Sequence, residues 1–487
     1  MDGKIQILKR NQRSPLRVIL RGSVWFGLAI LLNRILPGIL IIILAWWLEP
    51  RQLGIISFVL AYYSILLPVA DWSISYVLQK LIPENRSQAK QIYWTAVLLR
   101  LGVSIFLGLV CWGLDVTIGV FHGYGLYLAV LLVVSVFGTV VYAHNALGNF
   151  AKGSLYSIGL YTLWIGIAVA LVKAGMPISG PLLGLFLSFI VLGIYASLLD
   201  PAIRGNVVFL PKVAVEIIRF GLWATLAVVL SGFAGQIGVL IVDYVNGDAA
   251  AAVFKMAATF GIVPALLGMI VVLPLMPVAR EGILNGHDIA VSLVLPITRY
   301  LLMLGLPITA AGLVLAPEVI ATFTRHSYAG AIWPLRILLG ANLLRAWMTA
   351  ASGVLFVGEG LRALAKIYGA MVAITLVAGV FLARRWAVNG MAIAQLTSWI
   401  IGAILMCAFF RRRSSMRLEW KLYLRHAFSS LIMAAVVYFG TRVWHTAFER
   451  LILGGCISAT VYLALLWLQR DSSLLSAAKV LRNWATG

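Results

Sequence analysis

Six basic residues stand where a helix would carry them into a bilayer: Arg34, Arg100, Arg299, Arg336, Arg345 and, at the start of an apolar run, Lys255. A guanidinium at the centre of a spanning helix costs about 2.5–3.5 kcal/mol on insertion scales, so several are expensive unless they face water or an anion. A hydrated cationic cavity is the simplest solution. Its natural cargo is anionic, because guanidinium meets phosphate and carboxylate oxygens with paired hydrogen bonds. In the tenth apolar run Asn342, Arg345, Thr349 and Ser352 recur at intervals of three or four and form one polar stripe. Arg336 precedes Arg345 by about 900° of helical rotation, half a turn net, so it points away and snorkels to the interface. Tyr93, Arg100 and Ser104 share a face of the third run, and Thr225, Gly232, Gln236 and Asp243 share one on the seventh. In the first run Ser23 and Gly27 lie toward the side of Arg34, and Pro37 with Gly38 allows a bend. The candidate cavity-lining residues are therefore Arg34, Arg100, Arg299, Arg345, Asn342 and Gln236. The alternative is that these groups bond to neighbouring helices.

Carboxylates are scarce in the apolar runs: Asp71 lies toward one end of the second and Asp243 toward one end of the seventh. A cation-coupled exporter of cationic drugs needs an embedded acid, whereas this chain offers embedded cations. The six histidines are dispersed without metal-ligand spacing, and Arg325–His326 reads as a solvated loop. Neither a P-loop nor a GxSxG elbow is present. Cys111, Cys407 and Cys456 form no CxxC pair, so neither a disulfide framework nor a zinc site is indicated. No catalytic centre, metal or cofactor is expected.

The elements that must position the arginines are helices in a membrane. Of 487 residues 62% are hydrophobic and 11% charged, and the mean hydropathy is +1.00, well beyond soluble composition. Apolar windows fall near 22–47, 53–77, 91–114, 119–143, 154–172, 178–199, 217–243, 251–277, 290–315, 331–355, 363–383, 388–410, 422–443 and 448–469. Fourteen spans leave room for no soluble catalytic domain. The N-terminal basic segment resembles a signal peptide, but the run that follows is too long and lacks a small-residue cleavage site, so it reads as an uncleaved first span. The net charge of +22 would suggest nucleic acid on a soluble chain. Here the basic clusters sit between apolar runs and follow topology, so no nucleic-acid partner is expected. With both termini inside, the cytoplasmic segments hold 25 Lys and Arg and the opposite loops seven: Arg51, Lys173, Arg325, Arg384, Arg385, Arg442 and Arg450. The Arg384–Arg385 pair is the worst exception. The expected organisation is a cytoplasmic basic tail (1–21), an N-lobe of spans one to six (22–210), a C-lobe of spans seven to twelve (211–415), and two further spans with a cytoplasmic tail (416–487). A faint repeat supports the lobes: the hairpin starting at Leu48 overlays the one starting at Val245, and Arg100 overlays Arg299. Coincidence between apolar runs is the other explanation.

Residues 21–79, "RGSVWFGLAILLNRILPGILIIILAWWLEPRQLGIISFVLAYYSILLPVADWSISYVLQ", resemble the opening of the polysaccharide transporter flippases, in the superfamily that also holds multidrug and toxin extrusion proteins. The matching features are the turn of Leu48, Pro50 and Gly54 and the Asp71 that closes span two. This chain has Trp72 and Ser73 where relatives usually have an aromatic or aliphatic residue and then Gly. "FTRHSYAGAIWPLRIL" at 323–338 is similar to the family's loop before span ten, with Arg325 where Gly is common. The resemblance covers most of residues 20–410. It implies an all-α polytopic fold of about fourteen transmembrane helices, two pseudo-symmetric six-helix lobes plus two C-terminal helices, working by alternating access. The implied function is translocation of an undecaprenyl-pyrophosphate-linked oligosaccharide across the bacterial inner membrane for O-antigen (lipopolysaccharide), capsule or exopolysaccharide synthesis. Its partners would be the anionic lipid-linked oligosaccharide, membrane lipids, and polysaccharide polymerase and chain-length machinery. The rival readings are a cation-coupled multidrug antiporter of the same fold and an integral-membrane polysaccharide polymerase or glycosyltransferase.

The charge count yields a direct test of orientation. Tags at residue 2, in the 411–420 loop and at residue 487 should all report the cytoplasm, because these basic clusters resist translocation. A periplasmic signal at residue 487 breaks the even-span scheme.

Overall fold

The computed structural model describes residues 31–33, 35–72, 74–201, 203–270, 293–324, 326–357, 360–413 and 419–469. The basic tail, Arg34, Ser73, Arg325 and the C-terminal tail lie outside the described residues.

Among the described residues the regular structure is entirely helical. Apolar surroundings offer no water to backbone N–H and C=O groups, so each segment closes its own hydrogen bonds. The helices are α1 Leu31–Trp47, α2 Pro50–Asp71, α3 Ile74–Glu84, α4 Ala89–Ile118, α5 Gly125–Val134, α6 Thr139–Ala146, α7 Phe150–Lys173, α8 Ser179–Leu199, α9 Pro211–Asn246, α10 Asp248–Gly261, α11 Val263–Ile270, α12 Leu295–Phe323, α13 Ile332–Val357, α14 Leu361–Arg413, α15 Trp420–Gly440 and α16 Ala447–Leu468. A short 3₁₀ turn, Ser135–Gly138, joins α5 to α6 within one span.

Eleven of these segments are long and apolar enough to cross a membrane, or twelve with α10 and α11, bent by 48° where they meet, taken as one. Hydropathy alone led to fourteen. The first expected span is described only from Leu31, and the eleventh and twelfth both fall within the 53 residues of α14. A straight helix of that length would run about 80 Å, against a hydrocarbon core of about 30 Å. α14 accordingly breaks at Trp386 (φ −129°, ψ 19°) and Ala387 (φ 46°, ψ −130°).

Contacts divide the chain into two compact units. One takes α1 up to Pro37 together with Leu66–Thr225; the other takes Gly38–Ile65 and the described residues from Leu226 onward. The division therefore falls inside α1, α2 and α9, three helices that run through both units.

In the first unit small residues let backbones approach, as lipid-embedded helices require in the absence of a hydrophobic drive between them. A Cβ added to Gly184 of α8 would lie 2.9 Å from the Ala168 nitrogen of α7, and Trp164 donates across the same pair to the Pro181 carbonyl at 2.7 Å. The turn after α4 is organised by one carboxylate. Asp115 accepts from the amides of Phe121, Gly123 and Gly125 at 2.9, 3.1 and 2.7 Å, while Gly119 (φ 71°) caps the helix in the left-handed region.

In the second unit α15 and α16 pack on α12 through Met303, Leu315, Met433, Val437, Tyr462 and Leu466. α16 opens with a capping box of Thr446 and Glu449. Pro317 within α12 has no N–H to give the Leu313 carbonyl four residues earlier. Arg336 of α13 donates to that carbonyl at 2.9 Å and lies 4.8 Å over the exposed Trp333 ring. The outward-pointing arginine thus completes a helix that proline interrupts.

The motif residues of α2 have equally specific jobs. Pro50 is the first residue of the helix, where its missing N–H costs nothing. Gly54 sits against the first turn of α10: a Cβ there would lie 1.8 Å from the Asp248 carbonyl oxygen. Beside it Arg51 and Asp248, positions that the sequence repeat equates, form an ion pair at 3.5 Å.

Gly54→Ala should therefore push α2 off α10 and lower the thermal stability and yield of purified protein. Gly102→Ala, in α4 with open space around it, should instead raise stability by about 0.5–1 kcal/mol, the cost of glycine in a helix interior. Thermal melts of the two variants in detergent check the contrast, and equal effects would refute the close-approach explanation.

Candidate functional site

Tyr93, Arg100 and Ser104 do share one face of α4, and all three are buried. Arg100 is 3% exposed and pairs with Asp71 at the end of α2, Nη1 to Oδ1 at 3.0 Å, and the same nitrogen donates to the Thr139 hydroxyl at 3.0 Å. The face expected to line a cavity is here a packed helix contact. Removing two charges from water costs several kcal/mol per ion unless they are paired, and the last residue of α2 supplies the pairing charge. Asp71 ends its helix at Trp72, which adopts φ 44° and donates its amide back to the Pro68 carbonyl at 3.2 Å.

A second carboxylate organises the neighbouring end of this unit. Asp200, 1% exposed just after α8, accepts from Lys152 Nζ at 2.9 Å and from the Tyr156 hydroxyl at 2.7 Å, and lies 2.6 Å from His144 Nε2. His144 stacks on Tyr156 with ring centroids 5.4 Å apart. The residues come from α6, α7 and the segment after α8, up to 56 positions apart in sequence. Sequence spacing missed this cluster, because each member sits singly at the edge of an apolar run.

In the second unit Arg299, near the start of α12, meets Glu419 at the N-terminus of α15 through two hydrogen bonds, from Nε and Nη2. Both side chains are about one-third exposed. The signal for this pair was present but unread: Glu419 is the sole acid in the basic stretch 411–425.

Arg345 occupies a different setting. It is half-buried in α13, its guanidinium 5.6 Å over the Trp399 ring of α14. The α9 backbone comes so close at Gly235 that a Cβ there would lie 3.0 Å from Arg345 Nη2. Two stripe positions on, Ser352 lies 3.1 Å from the Tyr368 hydroxyl. Asn342 is 8% exposed and turns its amide to its own helix, donating to the Leu338 carbonyl at 2.9 Å. Gln236 is half-buried on α9, and Gln395 of α14 reaches the Ala234 carbonyl at 3.3 Å. Arg345 and Ser352 thus belong to a polar seam shared by α9, α13 and α14. Arg34 lies outside the described residues.

The described residues thus form a multi-pass helical membrane protein with embedded, partnered arginines and no strand among them. The family model described as "Polysaccharide biosynthesis protein" matches residues 19–282, more than half of the sequence, and the chain belongs to that family. No curated protein matches. Among solved structures the chain is similar to a lipid II flippase, MurJ, in an inward closed conformation, with a TM-score of 0.76 at 14% identity over 92% of this chain and 99% of that one. It is also similar to a MATE protein in the straight conformation, TM-score 0.59 at 18% identity over 81% and 95%. A third likeness is to a MOP superfamily transporter from Pyrococcus furiosus described by the reverse polarity of its binding pocket, TM-score 0.55 at 17% identity over 81% and 95%. At these identities the likeness is one of fold: all-helical and polytopic.

The Asp71–Arg100 pair makes a prediction separable from substrate binding. Asp71→Ala or Arg100→Ala alone should cost about 3–5 kcal/mol, the usual consequence of leaving one buried charge unpaired. The double variant should be damaged less than the sum of the two. Thermal denaturation of the three purified variants measures the coupling, and strict additivity would mean that the two side chains do not act as a pair.

Proposed function

We propose that this chain is a flippase for lipid-linked anionic oligosaccharide carried on undecaprenyl pyrophosphate. It works by alternating access in the bacterial inner membrane, with both termini in the cytoplasm, and supplies O-antigen, capsule or exopolysaccharide synthesis. The observation that carries this reading is the joining of two findings: a polysaccharide-biosynthesis family match and a fold shared with a lipid II flippase. In this reading the protein serves polysaccharide synthesis by moving a precursor, and no bond is made or broken.

Within this reading Arg345 is the principal headgroup ligand. Its planar fork, half-buried against the Trp399 ring, suits pyrophosphate oxygens better than a hydrated ammonium would. Asn342 and Gln236 would flank the headgroup. Arg100 and Arg299 already have carboxylates, so their part is an exchange of carboxylate for phosphate during the cycle; Arg34 is proposed on its sequence position alone. The polysaccharide polymerase and chain-length machinery are the partners proposed on the far side of the membrane.

Arg345→Ala should abolish surface glycan in a flippase-deficient strain at normal protein level, and Arg345→Lys should restore part of it, since charge survives while the fork is lost. Arg336→Ala should export glycan nearly normally, because that side chain serves the Leu313 carbonyl. Complementation with immunoblots for protein level decides it. Equal export defects in Arg345→Ala and Arg336→Ala at equal expression would remove the assignment.

A further inference from the structure

The kink in α14 carries a cost that its neighbours enforce. Ala387 holds φ 46°, a conformation that costs a non-glycine residue of order 1–3 kcal/mol and persists only where its surroundings over-determine it. They do so here: the backbone at Gly390 folds so tightly on α14 that a Cβ would lie 2.0 Å from the Leu382 carbonyl oxygen. The kink presents Trp386, 51% exposed, at the edge of an open depression of about 440 Å³ in the second unit. Pro50, Val253, Ser327 and Asn389 also line it. These residues lie in or next to four connections that the charge count puts on one side of the membrane. Arg384 and Arg385 precede the tryptophan, both exposed, with the Arg385 guanidinium 5.6 Å over the Trp386 ring. Arg51, its side chain 79% exposed, follows Pro50 directly.

Two independent features point to the same ligand. Arg51, Arg384 and Arg385 are three of only seven basic residues in loops that otherwise avoid positive charge, and in the chain they stand beside the lining residues Pro50 and Trp386. The wall is mostly apolar, with one broad indole face and a few exposed polar groups at Ser327 and Asn389, the composition of a site that orients a small ligand by few polar contacts. A sugar ring offers a C–H face to an indole and hydroxyls to amide and hydroxyl groups, and an acidic sugar adds a carboxylate or phosphate for guanidinium.

We propose that this depression is an exit subsite for an acidic saccharide, in which the ring stacks on Trp386 and its anionic substituent meets Arg385, Arg384 or Arg51. The inference rests on the flippase reading above, since it takes the glycan of the translocated precursor as the occupant. The site holds that glycan on the outer face after the headgroup has left the interior.

The test follows the accessibility of Ala249, an exposed residue of the same rim. Ala249→Cys is made in a Cys456→Ser background and labelled with an impermeant maleimide on intact cells. One strain makes the lipid-linked glycan, and an otherwise identical one is blocked at the first sugar transfer. Labelling should be several-fold slower in the producing strain, and the difference should vanish with Trp386→Ala or Arg385→Gln at unchanged protein level. Equal rates in the two strains would overturn the proposal, and so would protection that survives both substitutions. A lipid headgroup in the depression would slow labelling alike in both strains, which also counts against it. Glycan export measured in the same cells separates the two claims: export that depends on the protein, with equal labelling, sinks the subsite and leaves the flippase reading standing.

Discussion

A charge or an open backbone group carried into an apolar span must find its partner inside the protein, and much of the described structure follows from that requirement. Arg100 meets it with Asp71 and Thr139, one from the end of α2 and one from the start of α6. Asp200 meets it with a lysine, a tyrosine and a histidine. The Leu313 carbonyl, deprived of its donor by Pro317, meets it with Arg336. Each solution ties together elements distant in sequence, so polar satisfaction and helix placement are one problem in this chain.

The complementary requirement is closeness. Helices in lipid gain little by hiding apolar surface from one another, so they associate by packing backbone against backbone where side chains are absent. Gly54 on the Asp248 carbonyl, Gly184 on Ala168 and Gly268, whose added Cβ would lie 2.1 Å from the Ala346 carbonyl, are three such places. The first gives Gly54 of the opening hairpin its physical reason in this chain. That contact and the Arg51–Asp248 pair join the turns at the starts of α2 and α10 within one unit.

The embedded arginines therefore divide by surroundings. Arg100 and Arg299 are held by carboxylates and Arg336 by a carbonyl, while Arg345 stands against the Trp399 ring and the α9 backbone.

The sequence by itself determined the all-helical membrane class, the place of nearly every helix, the opposed faces of Arg336 and Arg345, and the family. All of these follow from local quantities: hydropathy over one span, rotation per residue, and a short motif. Only the tertiary structure decided which polar groups meet. The Asp71–Arg100 pair, the Asp200 cluster and the Arg299–Glu419 pair join residues tens to more than a hundred positions apart, and periodicity within one helix carries no information about the face of another. The two spans drawn across residues 363–410 were legible as apolar length. The kink between them was not, because a left-handed alanine next to a tryptophan is imposed by the packing around it and violates the preference of its own sequence.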